Sequence, residues 1–120
     1  MFNIKEALNL LSILMKHLSF FIYIIIKGHF SVVACPDGEI YFNSNGNPGM
    51  ATGGSGDVLT GVLTGLLAQG YSSKETCLMG MFLHGLAADI GVQTLSQEAL
   101  IAGDIIENLG KAFLSISSSV

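Results

Sequence analysis

The sequence predicts an α/β fold in which helices pack on a small sheet, and three observations lead to this class. A continuous apolar run from Phe20 to Ile26 is rich in aromatic and β-branched residues, as in a strand that is buried on both faces. Two shorter apolar runs follow it, one on each side of a turn. Apolar residues also recur every three or four positions before and after this region, as they do on one face of a helix.

The N-terminal segment is predicted to form an amphipathic helix that ends near His17. Its apolar face consists of Ile4, Ala7, Leu8, Leu11, Leu14 and Met15. The buried strand covers 20–26 and ends at Lys27 and Gly28. Because Lys16 and Lys27 bound the apolar run at well under the ~20 residues that span a bilayer, we expect a strand here and no membrane partner.

A β-hairpin is predicted after this strand. The runs Ser31–Cys35 and Glu39–Phe42 flank Pro36, Asp37 and Gly38. Proline presets the backbone for a turn and glycine accepts a positive φ, so the two runs are expected to pair through this turn.

Helices are predicted to follow a long polar loop. The first runs from Asp57 to Ala68 and stops before Gly70, which is suited to the position after a helix end. The second opens at Ser72, whose spacing from Glu75 matches a capping box, and continues to Ile90. Both helices carry broad apolar stripes that face a core.

The chain is expected to end in a short helix over 104–113 and a polar tail over 115–119 that frays. The sequence contains no repeat and no dividing linker, so residues 1–120 are predicted to form one domain. Apolar residues make up 50% and charged residues 12% of the chain, and its mean hydropathy is +0.60. This composition is typical of a part of a larger domain, and we also expect a homo-oligomer.

Charge and cysteine content narrow the function classes. A net charge of −4 and a pI near 5.1 argue against a nucleic-acid partner. Cys35 and Cys77 lack the neighbours of a disulfide framework or a zinc site, which indicates reduced thiols and a cytoplasmic location. Lys5 and Glu6 stand where a signal peptide would have its basic region, so none is predicted.

The loop over 43–56 carries the pattern that points to chemistry. Three asparagines, a proline and five glycines exclude a regular helix or strand there. Gly53, Gly54, Ser55 and Gly56 lead directly into the helix that begins at Asp57. Glycines let several amide groups converge, and a helix N-terminus attracts negative charge, so this segment predicts a phosphate cradle.

Asp57 is predicted to lie beside this cradle in the first turn of the helix. A carboxylate there accepts a proton from a substrate hydroxyl while the amides steady a transferring phosphoryl group. The alternative from the residues alone is a favourable helix N-terminal aspartate after a flexible connection.

The longer string around Asp57 resembles a known family. The segment 53–57 is similar to the signature of the ribokinase-like superfamily, and 46–61 resembles its NAD(P)H-hydrate dehydratase branch. Further segments that resemble the family are Ile26–Ser31, Pro36–Gly38, Leu83–Ala87 and Ala102–Ile106. The likeness extends from about Lys5 to Phe113, and it implies the C-terminal portion of a ribokinase-like domain.

The resemblance implies an activity and a set of site residues. Enzymes of this family use ADP or ATP with Mg²⁺ to dehydrate hydrated NADH or NADPH, first phosphorylating the hydroxyl and then eliminating phosphate. Asp57 is implied as the catalytic base and as a substrate contact. The implied nucleotide-binding residues are Lys27, Gly28, His29, Phe30, Ser31 and Gly56, and the implied anion hole consists of Gly53, Gly54, Ser55 and Gly56.

Other interpretations remain at this point. A ribokinase-like vitamin kinase, acting on hydroxymethylpyrimidine or hydroxyethylthiazole, shares the glycine loop and the aspartate, and a truncated, non-catalytic nucleotide-binding module is another alternative. Family domains are roughly twice this length, and the bulk of Phe30 is expected to narrow the nucleotide site. Lys27 has a second interpretation as a residue that reaches to the surface. His84 is interpreted as a core histidine with a backbone partner.

Overall fold

The structure, a computed structural model, describes residues 4–18, 21–28 and 30–119. Helix α1 spans Ile4–Leu18 and is followed by strands β1, Ile24–Ile26, β2, Val32–Ala34, and β3, Ile40–Phe42. A 3₁₀ turn at Pro48–Met50 precedes helices α2, Ser55–Ala68, α3, Ser73–Gly91, and α4, Ala102–Ser117. The α/β class is confirmed.

Helix α1 follows its predicted pattern. It ends one residue beyond the predicted position, and Leu8 and Leu11 on its predicted apolar face are half-buried. Leu10 and Ile13, which fall outside that face, are about half exposed.

The prediction of a strand buried on both faces was wrong. The observed strand covers only 24–26, it lies at one edge of the described sheet, and its burial is intermediate at best. Phe21 precedes it with 95% of its surface exposed, while Phe20 lies outside the described residues. An apolar run indicates that both faces of a strand are suited to burial, but it does not show whether neighbouring elements bury them.

The predicted hairpin is confirmed. Strands β2 and β3 are antiparallel, with Val33 opposite Tyr41, and β1 pairs antiparallel with the other side of β2. The turn closes with a 2.8 Å bond from the amide of Cys35 to the carbonyl of Glu39. Gly38 has a φ of +90°, a value that favours glycine.

The predicted ends of α2 and α3 are largely confirmed. Helix α2 begins two residues earlier than expected, at Ser55, and ends before Gly70, whose φ is +92°. The capping box of Ser72 and Glu75 is present at the start of α3.

The predicted fraying of the C-terminal tail was wrong for its first half, because α4 continues to Ser117. The serine hydroxyls bond to carbonyls of the preceding turn: Ser115 Oγ donates to Ala112 at 2.8 Å and Ser117 Oγ donates to Phe113 at 3.1 Å. Serine in a helix competes with the backbone, but here it satisfies carbonyls without ending the helix.

Helix α3 is shared by two groups of buried side chains. One group lies between α3 and α4 and contains Leu83, Ala87, Ala88, Leu100, Ile105 and Ala112. The other joins α3 to the sheet through Met81, Val33 and Cys35. Cys35 and Cys77 are free. No described helix is long and apolar enough to cross a bilayer.

Candidate active site

The loop over 43–56, which we call the glycine loop, leads into α2 through a tight turn. Gly54 precedes the helix with a φ of +85°, and the amide of Ser55 donates to the carbonyl of Thr52 at 3.3 Å. The amides of Gly56 and Asp57, in the first turn of α2, have no acceptor among the residues that the structure describes. A Cβ added at Gly53 or Gly56 would meet no atom within 4 Å. The predicted cradle is therefore open on the side where a ligand would enter.

Ser55 faces the interior and is held from two directions. It is fully buried, and its Oγ accepts a 2.7 Å hydrogen bond from Lys27 Nζ. Its carbonyl oxygen lies 2.9 Å from Nε2 of His84 on α3. The structure thus brings together Lys27 and Ser55, two predicted site residues, with a histidine that we had interpreted as a core residue.

The interpretation of His84 as a core histidine with a backbone partner is confirmed, yet that partner belongs to the predicted anion hole. Burial lowers the pKa of His84, and the nearby charge of Lys27 lowers this pKa further, against the opposing hydrogen bond to Ser55. Burial also lowers the pKa of Lys27. The imidazole is therefore held in its neutral form near pH 7.

The segment after β1 forms a small turn beside a cleft. Ser31 Oγ donates to the carbonyl of Gly28 at 3.2 Å, and the amide of Gly28 lies 3.3 Å from the same hydroxyl. Phe30 is 61% exposed, and it is not one of the residues that line the cleft. His29 lies outside the described residues. The cleft has a volume of about 350 Å³ and is lined by Lys27, Gly28, Ser31, Asn47, Pro48, Met50 and Ala51.

Asp57 is exposed at the start of α2. It borders a second groove of about 440 Å³ between α2 and α4, whose other lining residues are Val58, Gly61, Val62, Ile106 and Leu109. These residues carry aliphatic side chains or none, so Asp57 supplies the charge of that groove. A carboxylate at the edge of an apolar groove and next to free amides is arranged for proton transfer beside an anion.

An asparagine ladder ties the loop before the cradle to α3. Asn43 Nδ2 donates to the Met81 carbonyl at 3.2 Å, and Asn45 Nδ2 donates to the Phe82 carbonyl at 2.9 Å. A Cβ at Gly85 would lie 2.2 Å from Asn45 Oδ1, so glycine is what allows this close approach.

Asp89 holds the next part of the loop. Its carboxylate accepts from the amide of Gly46 and from Asn47 Nδ2, each at 2.8 Å. Sequence reasoning missed Asp89, Gly85 and His84 as contributors to the site. The available signal was their spacing along one helix, together with asparagines at alternate positions in the loop that faces it.

No group of three His, Cys, Asp or Glu side chains within the described ranges is arranged to hold a metal ion. Magnesium is commonly held by one or two carboxylates together with substrate phosphates.

Comparison with known proteins agrees with this geometry. The family profile for NAD(P)H-hydrate dehydratase matches residues 5–110. An ADP-dependent (S)-NAD(P)H-hydrate dehydratase of Neisseria meningitidis is 49% identical over 83 residues, which are 68% of this chain and 28% of that protein. A bifunctional NAD(P)H-hydrate repair enzyme of Moorella thermoacetica is 42% identical over 97 residues, 81% of this chain and 18% of that enzyme.

Solved structures give the same result. An ADP/ATP-dependent NAD(P)H-hydrate dehydratase of Bacillus subtilis, co-crystallised with ATP and Mg²⁺, has a TM-score of 0.74 and 33% identity over 78% of this chain and 34% of that chain. The same enzyme soaked with CoA has a TM-score of 0.82 and 28% identity over 92% of this chain and 40% of that chain. This chain spans well under half the length of these relatives, and it belongs to the NAD(P)H-hydrate dehydratase family.

Proposed function

We propose that this protein takes part in the ADP- or ATP-dependent dehydration of hydrated NADH and NADPH. One observation carries the proposal: Asp57 lies in the first turn of α2, where the amides of Gly56 and Asp57 lack an acceptor among the described residues. Membership of the dehydratase family supplies the reaction class.

The proposed reaction has two steps. Asp57 takes the proton of the hydrate hydroxyl, and the hydroxyl oxygen attacks the terminal phosphoryl group of the nucleotide as the bond to the leaving phosphate oxygen breaks. The phosphorylated hydrate then loses phosphate from one ring carbon, and a proton leaves the next ring carbon for water, so that the electrons of that C–H bond form the carbon–carbon double bond. Phosphorylation thus converts a poor leaving group into a good one.

The nucleotide is proposed to lie along the turn that begins at Lys27. Lys27, Gly28 and Ser31 line the cleft of about 350 Å³, and Gly56 offers its amide to the terminal phosphate. Lys27 is engaged by Ser55 Oγ, so it contributes charge near the cleft while it anchors the cradle. His29 and Phe30 complete the proposed set, with Phe30 at the exposed edge.

The anion hole is proposed to consist of main-chain groups of 53–56. Ser55 contributes to it through its position, since its side chain is buried against Lys27. We propose that Mg²⁺ arrives with the nucleotide, since this ion is commonly held by substrate phosphates, and we assign no residue of this chain to it. When bound, such an ion would neutralise phosphate charge.

We further propose that residues 1–120 form the C-terminal part of the catalytic domain, that the protein is a cytoplasmic homo-oligomer, and that it binds neither nucleic acid nor membrane. The span of 28% of the Neisseria relative supports the first point. The exposed side chains of Phe21, Ile22 and Phe42 near the described sheet edges support association. The low charge and free thiols support the remaining points.

The test replaces the matching segment of the Bacillus dehydratase with residues 21–117 of this chain and assays the chimera beside the 120-residue chain alone. Hydrated NADH is mixed with ADP or ATP and Mg²⁺, and NADH absorbance is followed. We expect recovery on the order of 1 s⁻¹ for the chimera, with the isolated chain inactive and self-associated.

Two outcomes would replace the proposal. Phosphorylation of hydroxymethylpyrimidine without recovery of NADH would favour a vitamin kinase. Nucleotide binding by the chimera without turnover of either substrate would favour a non-catalytic module.

A further inference from the structure

His84 lies deep in the molecule, where its imidazole connects α3 to the carbonyl of Ser55. Its side chain is 2% exposed, and its Nε2 is 2.9 Å from the carbonyl oxygen of Ser55. A carbonyl oxygen accepts hydrogen bonds and donates none, so Nε2 must carry a proton. Together with the neutral form favoured by burial, this fixes one tautomer of the imidazole.

This hydrogen bond acts on the next amide along the chain. The peptide unit between Ser55 and Gly56 is planar and trans, so its C=O and N–H groups point in opposite directions. Holding the oxygen of Ser55 against α3 therefore turns the N–H of Gly56 away from α3. That N–H has no acceptor among the described residues, and the position of an added Cβ at Gly56 is open.

The side chain of Ser55 is held by a different element from the one that holds its carbonyl. Lys27, directly after β1, donates to Ser55 Oγ at 2.7 Å. With its oxygen held by His84 and its hydroxyl held by Lys27, Ser55 has little freedom to rotate its peptide planes. Fixed donors that need no reorganisation are what stabilises a transferring anionic group.

We propose that His84 is a positioning residue, which aims the amide of Gly56 at the terminal phosphate of the nucleotide by holding the Ser55 carbonyl. This inference rests on the proposed function, since it concerns the same phosphate site. His84 does not touch the reacting atoms; it acts through one peptide unit.

The experiment uses the 120-residue chain, labelled with ¹⁵N, and titrates it with ADP. His84→Gln retains a side-chain donor at a similar reach, and His84→Leu removes the donor while keeping bulk. Asn108→Leu is a matched control, because Asn108 is a buried residue that bonds a helix carbonyl, that of Asp104, outside the glycine loop.

We expect ADP to bind His84→Leu about tenfold more weakly than the wild-type chain, the consequence of losing one fixed hydrogen bond. The Gly56 amide should lose its ADP-dependent shift in that variant. His84→Gln should recover most of the affinity and the shift, and Asn108→Leu should match the wild-type chain. Equal ADP affinity and an unchanged Gly56 shift in His84→Leu would overturn the proposal.

A measurement without any variant guards against loss of folding in His84→Leu. The ¹⁵N spectrum of the ligand-free wild-type imidazole should show the proton on Nε2, and a proton found only on Nδ1 would overturn the inference even if ADP binds. If instead the tautomer is as expected but the wild-type Gly56 amide does not respond to ADP, the proposed phosphate site fails, and the positioning role fails with it.

Discussion

Two regions of the described structure differ in how many of their groups have a partner. One is the loop that lies along α3, and the other is the β1 edge of the sheet. Along α3, the loop 43–57 is held by hydrogen bonds to Met81, Phe82, His84 and Asp89. At the β1 edge, Phe21 is almost fully exposed, and the strand pairs on only one side within the described ranges. The loop that carries the proposed phosphate site is therefore supported from within the described residues, while the β1 edge leaves apolar side chains exposed.

Asp57→Asn should cause the largest loss of activity, and it should leave the hydrogen bonds between the glycine loop and α3 almost unchanged. In the Bacillus chimera, turnover should fall roughly 10²–10⁴-fold because the base for the hydroxyl proton is lost. Nucleotide affinity and the unfolding midpoint should change little, since Asp57 is exposed and outside the contacts with α3. Steady-state kinetics with NADH recovery measure this, and near-normal turnover would remove Asp57 from the catalytic role.

Gly85→Ala should break the contact between α3 and the asparagine ladder. The new methyl would lie 2.2 Å from Asn45 Oδ1, and that oxygen already accepts from Asn43. We expect a loss of about 1–3 kcal/mol in the free energy of unfolding, measured by urea denaturation.

The matched control for that variant is Gly65→Ala. Gly65 lies in the interior of α2, where an added Cβ meets no atom within 4 Å. This change should stabilise the chain by about 0.5–1 kcal/mol. Equal effects of the two variants would show that the ladder adds nothing to the stability of the loop.

Acid should loosen the loop through His84. Its pKa is lowered in the folded state, so the unfolded chain binds the proton first, and stability falls as pH drops below the ordinary histidine value of about 6.5. The slope is at most about 1.4 kcal/mol per pH unit. Well above pH 6.5 both states are neutral at this site, so His84 contributes no pH dependence there.

His84→Gln isolates this contribution in thermal unfolding between pH 7 and 5. The group that faces His84 with a charge is Lys27, and it remains in the variant. Glu39, Glu75 and Glu98 have lowered pKa values, so their contribution to stability is lost mainly as pH falls through about 4.5 and below, outside most of this window. A wild-type slope that persists in His84→Gln would assign the pH dependence to another group.

Phe21→Ser should have the smallest effect on stability and a visible effect on association. Its side chain is almost entirely exposed, so the free energy of unfolding should stay within about 0.5 kcal/mol of the wild-type value. Light scattering should show a lower average mass at equal concentration. The contrast variant is Val33→Ala in the buried central strand, which should cost roughly 2 kcal/mol without reducing association.

Local signals predicted the structure well wherever neighbouring residues decide it. The hairpin turn at Gly38 and the capping box of Ser72 with Glu75 depend on residues a few positions apart, and these features are confirmed. The exposure of β1 depends on which strands lie beside it. The extension of α4 to Ser117 was missed although the serine bonds that accompany it join residues only three or four positions apart. The period of the apolar residues carries neither kind of information.

The residues of the candidate site also divide into those that a local sequence pattern reveals and those that it does not. The glycine string and Asp57 are visible in the sequence because backbone freedom and a placed carboxylate leave a local pattern. The supporting residues on α3 bond to loop residues that lie 29 to 43 positions earlier. Their spacing on the helix and the alternating asparagines do not by themselves give that pairing. His84 shows this most clearly, since its interpretation as a buried histidine was confirmed while its connection to Ser55 became visible only in three dimensions.

The glycine loop, held by α3, is proposed to bind the terminal phosphate of an adenine nucleotide. Crystals of the chain grown with ADP and Mg²⁺ test it most directly. We expect phosphate oxygens within hydrogen-bonding distance of the Gly56 amide and close to the other main-chain groups of 53–56, with the nucleotide running toward Lys27 and Ser31. A nucleotide bound elsewhere on the chain, with the amide of Gly56 turned into the protein, would show that the glycine loop is not the phosphate site.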